Sequence, residues 1–365
     1  MFGGIYKGKR VLVTGHTGFK GSWLVTWLLE LGSEVSGYAL APSTDPSNFE
    51  VLDLSRRIHH NQDDVRDRER LVAAMSESGP DCVFHLAAQA IVRRSYEDAP
   101  TTFETNALGT LNVLEAVRQV PSVKSLVIIT SDKCYRNVEW IWGYRENDAL
   151  GGEDPYSASK ACAELISYSY MNSFFRDRDG AAAVATARAG NVIGGGDWAS
   201  DRVVPDCMRA WHNGRPVVVR SPQSTRPWQH VLEPLSGYLL LGSHLLRQDP
   251  KALWQSYNFG PDATVNQTVQ TLIAALADGW DGVRWEFDID GLAGKPEARL
   301  LKLSCDKALA DLAWRPVLTF DETVAFTREW YKQHYRNVGG MAEFTAGQIR
   351  EYSRKAADRG LSWAR

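Results

Sequence analysis

Short apolar bursts alternate with longer amphipathic stretches along the first half of the chain, and that alternation sets the expected fold. Arg10 to Thr14 reads as an apolar strand, followed by the glycine-punctuated run GHTGFKG and then SWLVTWLLELG, whose Leu24, Leu28 and Leu31 recur at helical spacing until Gly32. A second strand is expected from Glu34 to Leu40 and a buried one from Cys82 to Leu86. Helical spacing runs from Thr102 to Gln119, the apolar run Leu126 to Ile129 reads as another buried strand, and a helix follows through Tyr156, Ala163, Ile166 and Tyr170 before a strand at Ala183 to Ala187. Strand and helix taking turns in this way predict an α/β fold with a doubly wound parallel sheet.

The pattern then changes. RAGNVIGGGDWASDRVVPD has no clean period and reads as a loop that covers a ligand. From Val217 a strand, a polar turn and a strongly apolar helix are expected. Tyr257 to Pro261 reads as a short strand and turn, Val265 to Gly279 as a helix, Trp285 to Asp288 as a strand and Phe320 to Tyr335 as an amphipathic helix, with a charged tail helical near Gln348 to Ala357. The expected division is residues 1–187 as the sheet domain, with segments near 217–260 returning to it, and 188–365 mainly as a smaller, interleaved α/β substrate domain.

Composition narrows the class. A chain of 365 residues with 44% hydrophobic content is long enough for two domains and a sizeable core. A formal net charge of -3 gives no electrostatic case for nucleic acid or an anionic membrane, although local basic sites can still hold a phosphate. MFGGIYKGKRVLV enters a strand almost at once and no segment approaches a membrane-spanning run, so a cytoplasmic protein is expected. Cys82, Cys134, Cys162, Cys207 and Cys305 show neither C-x-x-C spacing nor a disulfide framework, and no metal is assigned. Cys134, beside the expected active strand, is read as a small buried filler.

Candidate chemistry concentrates in two places. Gly15, Gly18 and Gly21, with Thr17, Phe19 and Lys20 between them, form a strand–turn–helix loop that can approach a pyrophosphate and present a helix N-terminus to it. The acidic residue expected to hold an adenosine ribose about 20 residues further on is absent, which leaves NAD against NADP open at this point. Asp64, next to Val65, is placed to accept from an adenine amino group or to sit as a solvated turn carboxylate. Leu86, Ala87 and Ala88 offer a low sheet edge for a cofactor. Asn106 is either a satisfied interior amide or a group that steadies a nearby backbone carbonyl.

The second place is the stretch TSDKCY followed by DPYSASKACAEL. The strand before it delivers Ser131, Asp132 and Lys133 to a carboxyl edge, while Tyr156 and Lys160, four apart, project from one helix face. Such a trio suits proton removal from a hydroxyl. A tyrosine titrating near ~10 must shift by about three units, roughly 4 kcal/mol, to ionise at neutral pH. Lys160 can supply charge for that, and Ser131 can hydrogen-bond the same substrate oxygen.

With TGHTGFKG and YSASK in place, the chain resembles the extended short-chain dehydrogenase/reductase family over nearly its whole length. GHTGFKGSWL, TSDKCY, GNVIGGGDWASDRVVPD and TRPWQHVLEPLSGYL resemble the branch of nucleotide-sugar 4,6-dehydratases that act on CDP-glucose. The resemblance implies a Rossmann-type domain binding NAD, with Tyr156 taking the proton of the sugar 4-hydroxyl and Asp132 serving as acid for the departing 6-hydroxyl. It also implies Asn191, Asn258, Arg226 and Arg299 as substrate ligands, with the arginines on the diphosphate, and His16 and Tyr38 near the adenosine. A homodimer or dimer of dimers through helices near Thr102–Gln119 and Tyr156–Phe175, and a place in lipopolysaccharide O-antigen deoxysugar synthesis, are implied too. Lys133 stands where dTDP-glucose relatives carry a glutamate, so it either acts neutral or stays charged and stabilises an enolate. The rival readings are a 4-epimerase, a dehydratase for another nucleotide, and a dinucleotide-sensing regulator without chemistry.

Overall fold

The alternation of strand and helix builds one seven-stranded sheet whose neighbouring strands all run parallel. The computed structural model describes residues 1–176, 178–219, 221–262, 265–280, 282–287, 301–336 and 339–365. In chain order the strands are β1 (Arg10–Thr14), β2 (Glu34–Ala39), β3 (His59–Gln62), β4 (Cys82–His85), β5 (Ser125–Ile129), β6 (Ala183–Ala189), β7 (Val192–Ile193), β8 (Val217–Val219), β9 (Thr225–Arg226), β10 (Gln229–His230), β11 (Ser256–Phe259), β12 (Gln267–Thr268) and β13 (Trp285–Phe287). The helices are α1 (Phe19–Glu30), α2 (Asn48–Val51), α3 (Arg68–Ser78), α4 (Val92–Glu97), α5 (Ala99–Phe103), α6 (Gly109–Gln119), α7 (Pro155–Tyr170), α8 (Val203–His212), α9 (Leu232–Leu246), α10 (Val269–Ala277), α11 (Asp306–Leu312), α12 (Phe320–Tyr335) and α13 (Met341–Asp358).

The sheet order is β11-β6-β5-β4-β1-β2-β3, a Rossmann-type, doubly wound arrangement. The order reverses between β1 and β4, the switch point where ligands of open α/β sheets bind in the crevice outside the carboxyl ends of the strands. Alternate residues of one strand serve opposite cores: Val11 and Val13 pack with Trp23, Trp27 and Leu239, whereas Leu12 packs with Leu71, Val113 and Leu114. Every residue of β5 and β6 is buried, as expected for strands covered on both faces. After the excursion that holds β7 to β10, the chain returns: α9 lies on β5 and β6, and β11 pairs with β6 at the sheet edge.

Some elements differ from their sequence pattern for identifiable reasons. β3 is short and reads HHNQ, without apolar alternation, because it is the partly exposed last strand of the sheet. The helix expected from Thr102 to Gln119 contains a π-turn at Glu104–Leu108, where Asn106 turns inward. α10 begins only at Val269, capped by the Thr268 side chain on the Thr271 N–H. The tail helix, α13, starts at Met341 because its face, with Ile349 and Tyr352, joins the core against Trp27 of α1. Of the expected strand from Trp285 to Asp288, Asp288 lies outside the described residues.

One buried ion pair ties the layers together at the carboxyl edge. Glu164 on α7 and Arg188 on β6, exposed by only 2% and 4%, are joined at 2.8 Å. Glu164 also accepts from the hydroxyls of Thr130 and Thr186 (2.9 Å for Thr186). Arg188 donates to Tyr135 Oη at 2.7 Å and to the Glu146 carbonyl at 2.9 Å, reaching the loop beyond β5. Truncating one partner leaves the other charge buried and uncompensated, so Arg188→Met is expected to cost about 3–5 kcal/mol in urea unfolding, and Glu164→Leu combined with it recovers part of the loss. A single replacement costing less than about 1 kcal/mol would contradict this role.

Candidate active site

Gly15 turns the chain at the end of β1 with a positive φ of 75°, and a Cβ there would lie 2.6 Å from the Ala87 nitrogen. Leu86 and Ala87 thus run directly against the turn, and Ala87 N–H bonds Thr14 Oγ1 at 3.2 Å. A Cβ on Gly21 would lie 2.2 Å from the Gly15 carbonyl oxygen, so only glycine lets α1 sit this close to the turn. Gly18 is different: its nearest neighbour would be 3.4 Å away, and it caps α1 without any side chain closing the first turn. The first amides of α1 therefore suit an anion, and the residues present fit a dinucleotide pyrophosphate.

Around the loop, Thr17 donates to the Leu40 carbonyl at 2.9 Å. His16 packs its ring over Gly37 and bonds His60 of β3 at 2.7 Å, while burial first and the neighbouring His60 next pull its pKa down to about 3, so it is neutral. Tyr38 donates to the Asp64 carbonyl at 3.1 Å. The Asp64 carboxylate is engaged by Arg66 at 2.7 Å, so its readiness for an adenine depends on exchanging that partner. Val65 is buried and packs beside Gly109. Asn106 settles both of its expected roles at once: it bonds the Gln89 N–H and carbonyl at 2.8 and 3.0 Å, and Ser159 Oγ of α7 at 2.9 Å. Ala88 continues the edge between Ala87 and Gln89.

Across the crevice, α7 starts at Pro155 with Asp154 accepting from the Ser157 N–H at 2.9 Å, which places Tyr156 in the first turn. Ser131, Asp132, Tyr156 and Lys160 are all buried. Asp132 Oδ1 accepts from Ser131 Oγ at 3.0 Å and from Lys133 Nζ at 3.3 Å, and Lys133 also donates to Asn191 Oδ1 at 3.1 Å. Asp132 Oδ2 instead faces Gly190, where an added Cβ would stand 3.1 Å away.

The charges act differently from the simplest sequence expectation. Burial raises the Tyr156 phenol, and the strongest opposing influence is the Lys133 ammonium, followed by the Ser131 hydroxyl. Lys160 bonds the Ile129 carbonyl at 3.4 Å, and burial lowers its pKa to about 8 against the pull of Glu164. Lys133 moves the other way: burial lowers its pKa, but Asp132 and Tyr156 more than offset this and hold it above the usual lysine value. It is a charged group here, which favours the second of its two expected roles.

Of the expected substrate ligands, Asn191 joins the cluster through Lys133, and Arg226 acts electrostatically on Lys133 from β9 while donating to the Thr225 carbonyl at 2.8 Å. Asn258 does not present its amide to the crevice. It is fully buried and spends its side chain on Tyr135 Oη and on the carbonyls of Tyr144 and Ser304, at 2.8, 2.9 and 3.1 Å. It fixes the wall of the site instead. Arg299 lies outside the described residues. The glycines of GGGDW serve packing: a Cβ on Gly195 would enter the Trp330 ring, and Trp198 is buried against Trp330 and Tyr331. Arg202 in the same loop was not singled out from sequence; it pairs with Asp197 at 2.8 Å and acts electrostatically on Tyr156.

A glycine turn at the switch point, with Ser131 at the end of β5 acting on Tyr156 of α7 and Lys160 one turn further along that helix, marks an enzyme of the extended short-chain dehydrogenase/reductase class. Within it, residues 12–327 match the GDP-mannose 4,6 dehydratase family, to which the chain belongs. The CDP-glucose 4,6-dehydratase of Salmonella typhimurium is 47% identical over 91% of this chain and 92% of its own. The dTDP-glucose 4,6-dehydratase of Streptomyces griseus is 28% identical over 89% of this chain and 94% of its own. The solved structure of DesIV, a dTDP-glucose 4,6-dehydratase from Streptomyces venezuelae with NAD and TYD bound, shares the fold with a TM-score of 0.73 at 24% identity, covering 89% of this chain and 97% of that one.

Because Lys133 opposes the effect of burial on Tyr156, Lys133→Met is expected to raise the phenol's pKa further. The check is an alkaline absorbance titration with the Tyr156 component isolated by subtracting the corresponding Tyr156→Phe curve; that component moves to higher pH. An unmoved component would show that Lys133 does not govern Tyr156.

Proposed function

We propose that the protein dehydrates CDP-glucose to CDP-4-dehydro-6-deoxyglucose with NAD as a cofactor that is regenerated in each cycle. The observation that carries the reading is the order Ser131-Asp132-Lys133 at one strand end, where a carboxylate and a cation stand beside the hydroxyl-binding serine. Oxidation of an alcohol alone needs only the serine, tyrosine and lysine. Similarity to the Salmonella enzyme supports cytosine as the base.

Bound NAD, with its pyrophosphate on the first turn of α1, supplies the hydride acceptor at carbon 4 and the hydride donor at carbon 6. Tyr156 removes the 4-hydroxyl proton while Ser131 holds that oxygen. The resulting ketone acidifies the carbon 5 hydrogen, and the Lys133 ammonium stabilises the enolate. A protonated lysine has no lone pair to accept that hydrogen. Asp132 Oδ2, facing Gly190, takes the carbon 5 proton and returns it to the 6-hydroxyl, so the carbon 6–oxygen bond breaks and water leaves; carbon 5 afterwards takes up one proton and Tyr156 releases the one it removed from the 4-hydroxyl, which restores both groups. Arg226 and Asn191 hold the substrate, and Arg299 joins them by resemblance.

The reading extends to assembly and setting. Leu108, Leu165 and Tyr168 are exposed by 52%, 56% and 66% on the helices expected to pair two copies, which supports a homodimer or dimer of dimers. Among the described residues no helix is long and apolar enough to cross a membrane. A cytoplasmic site and a supply of deoxysugar to lipopolysaccharide O-antigen rest on the resemblance.

The test is incubation of the purified protein with NAD and, separately, CDP-glucose, dTDP-glucose, GDP-mannose and UDP-glucose, with mass-spectrometric detection of water loss. Water lost from CDP-glucose alone is the expected outcome, and Asp132→Asn abolishes it. Epimerisation or oxidation of a sugar without water loss would retain the frame and overturn the assignment of Asp132 and Lys133.

A further inference from the structure

The phosphate cradle is made of backbone, yet the glycine loop delivers a cation into the protein. Lys20 stands in the first turn of α1, and its ammonium turns inward: Nζ lies 3.3 Å from Tyr238 Oη and 5.5 Å from the centre of that ring. Tyr238 is fully buried on α9, the helix that carries β5 and β6. No ion pair is formed by Lys20 among the described residues; a neutral phenol is its partner.

The charges that Lys20 feels are those of the reacting centre. Burial is the largest cause that lowers its pKa, to about 7; Arg202, Lys160 and Lys133 repel it and Asp132 attracts it. Tyr238 is in turn influenced by Tyr156 and Asp132. An ammonium placed among three like charges is unfavourable for the resting protein, and it is not needed to turn the glycine loop, which Gly15 and Gly21 accomplish.

We infer that Lys20, held by Tyr238, is a positioning charge that biases the site toward the reduced form of its dinucleotide. Oxidised nicotinamide is cationic and reduced nicotinamide is neutral, so a positive charge in the first turn of α1 that acts on Lys160, Lys133 and Asp132 disfavours the first relative to the second. The inference rests on the dinucleotide reading above and deepens it. A reaction that stores a hydride through an elimination step gains from this bias, because the stored form must outlast the departure of water.

The test compares the dissociation constants of NAD+ and NADH for the full chain, wild type against Lys20→Met and Lys20→Arg, by fluorescence competition at pH 6.5. Thermal melting of each variant confirms folding. Lys20→Met is expected to shift the ratio of the two constants about tenfold toward NAD+, roughly 30 mV for a two-electron couple, while Lys20→Arg stays near wild type. Tyr238→Phe, which leaves the amine without its partner, shifts the ratio in the same direction by less. Equal weakening of both forms would make Lys20 a phosphate anchor and overturn the inference, as would no change in either. If the wild type binds neither form, the dinucleotide reading itself falls and takes the inference with it.

Discussion

The Glu164–Arg188 pair is the constraint on which the site depends. It lies beneath the carboxyl edge and bonds α7, the end of β5, β6 and the loop after β5 into one network. Tyr156 and Lys160 sit on α7, about two turns and one turn before Glu164 respectively, and Ser131 follows Thr130 directly. Fixing Glu164 therefore fixes the distance between the helix that carries the base and the strand that carries its partners. The same arginine reaches Tyr135, which holds Asn258 of β11, so the wall of the substrate side shares that anchor. Buried ions are a costly way to hold layers together, and here Glu164 accepts from Arg188, Thr130 and Thr186 while both terminal nitrogens of Arg188 are bonded, its buried Nε being left without a partner among the described residues.

Above that floor, a protein of net negative charge concentrates cations: Lys20, Lys133, Lys160, Arg202 and Arg226 influence one another or the same groups. Asp132 is the acid placed among them, and Asp197 offsets Arg202. The crevice thus suits two ligands that each carry a diphosphate, a dinucleotide and a nucleotide sugar. The same charges bear on the proposed base, Tyr156, whose phenol remains raised by burial. Burial alone raises its pKa, and the work of lowering it falls on charges across the crevice, Lys133 before Arg202, as well as on what binds beside it.

Much of this was legible in the sequence because periodicity and glycine spacing follow directly from sheet and helix geometry. β1, the glycine turn, β5 and the Tyr156 helix stand where the pattern placed them. What escaped did so for physical reasons. β3 reads as polar because its exposed edge position relaxes the apolar pattern. Asn258 looks like a ligand in sequence, but a buried amide with three partners shows itself only in three dimensions. Gly195 resembles a ligand-loop glycine and is in fact required by Trp330, more than 130 residues away. Arg202 was hidden in a long polar run where many residues were equally plausible. The direction of the Lys133 shift depends on Asp132 and Tyr156 being near together, a fact that spacing alone does not supply.

The central claim is that oxidation, elimination and reduction occur on one sugar in one crevice, with the hydride kept inside throughout. The most direct measurement is to convert CDP-glucose deuterated at carbon 4 and locate the label in the product by NMR. The account predicts deuterium at carbon 6, carried by the same molecule that gave it up. Deuterium lost to the medium, or found at carbon 6 of unlabelled substrate mixed in, would contradict it.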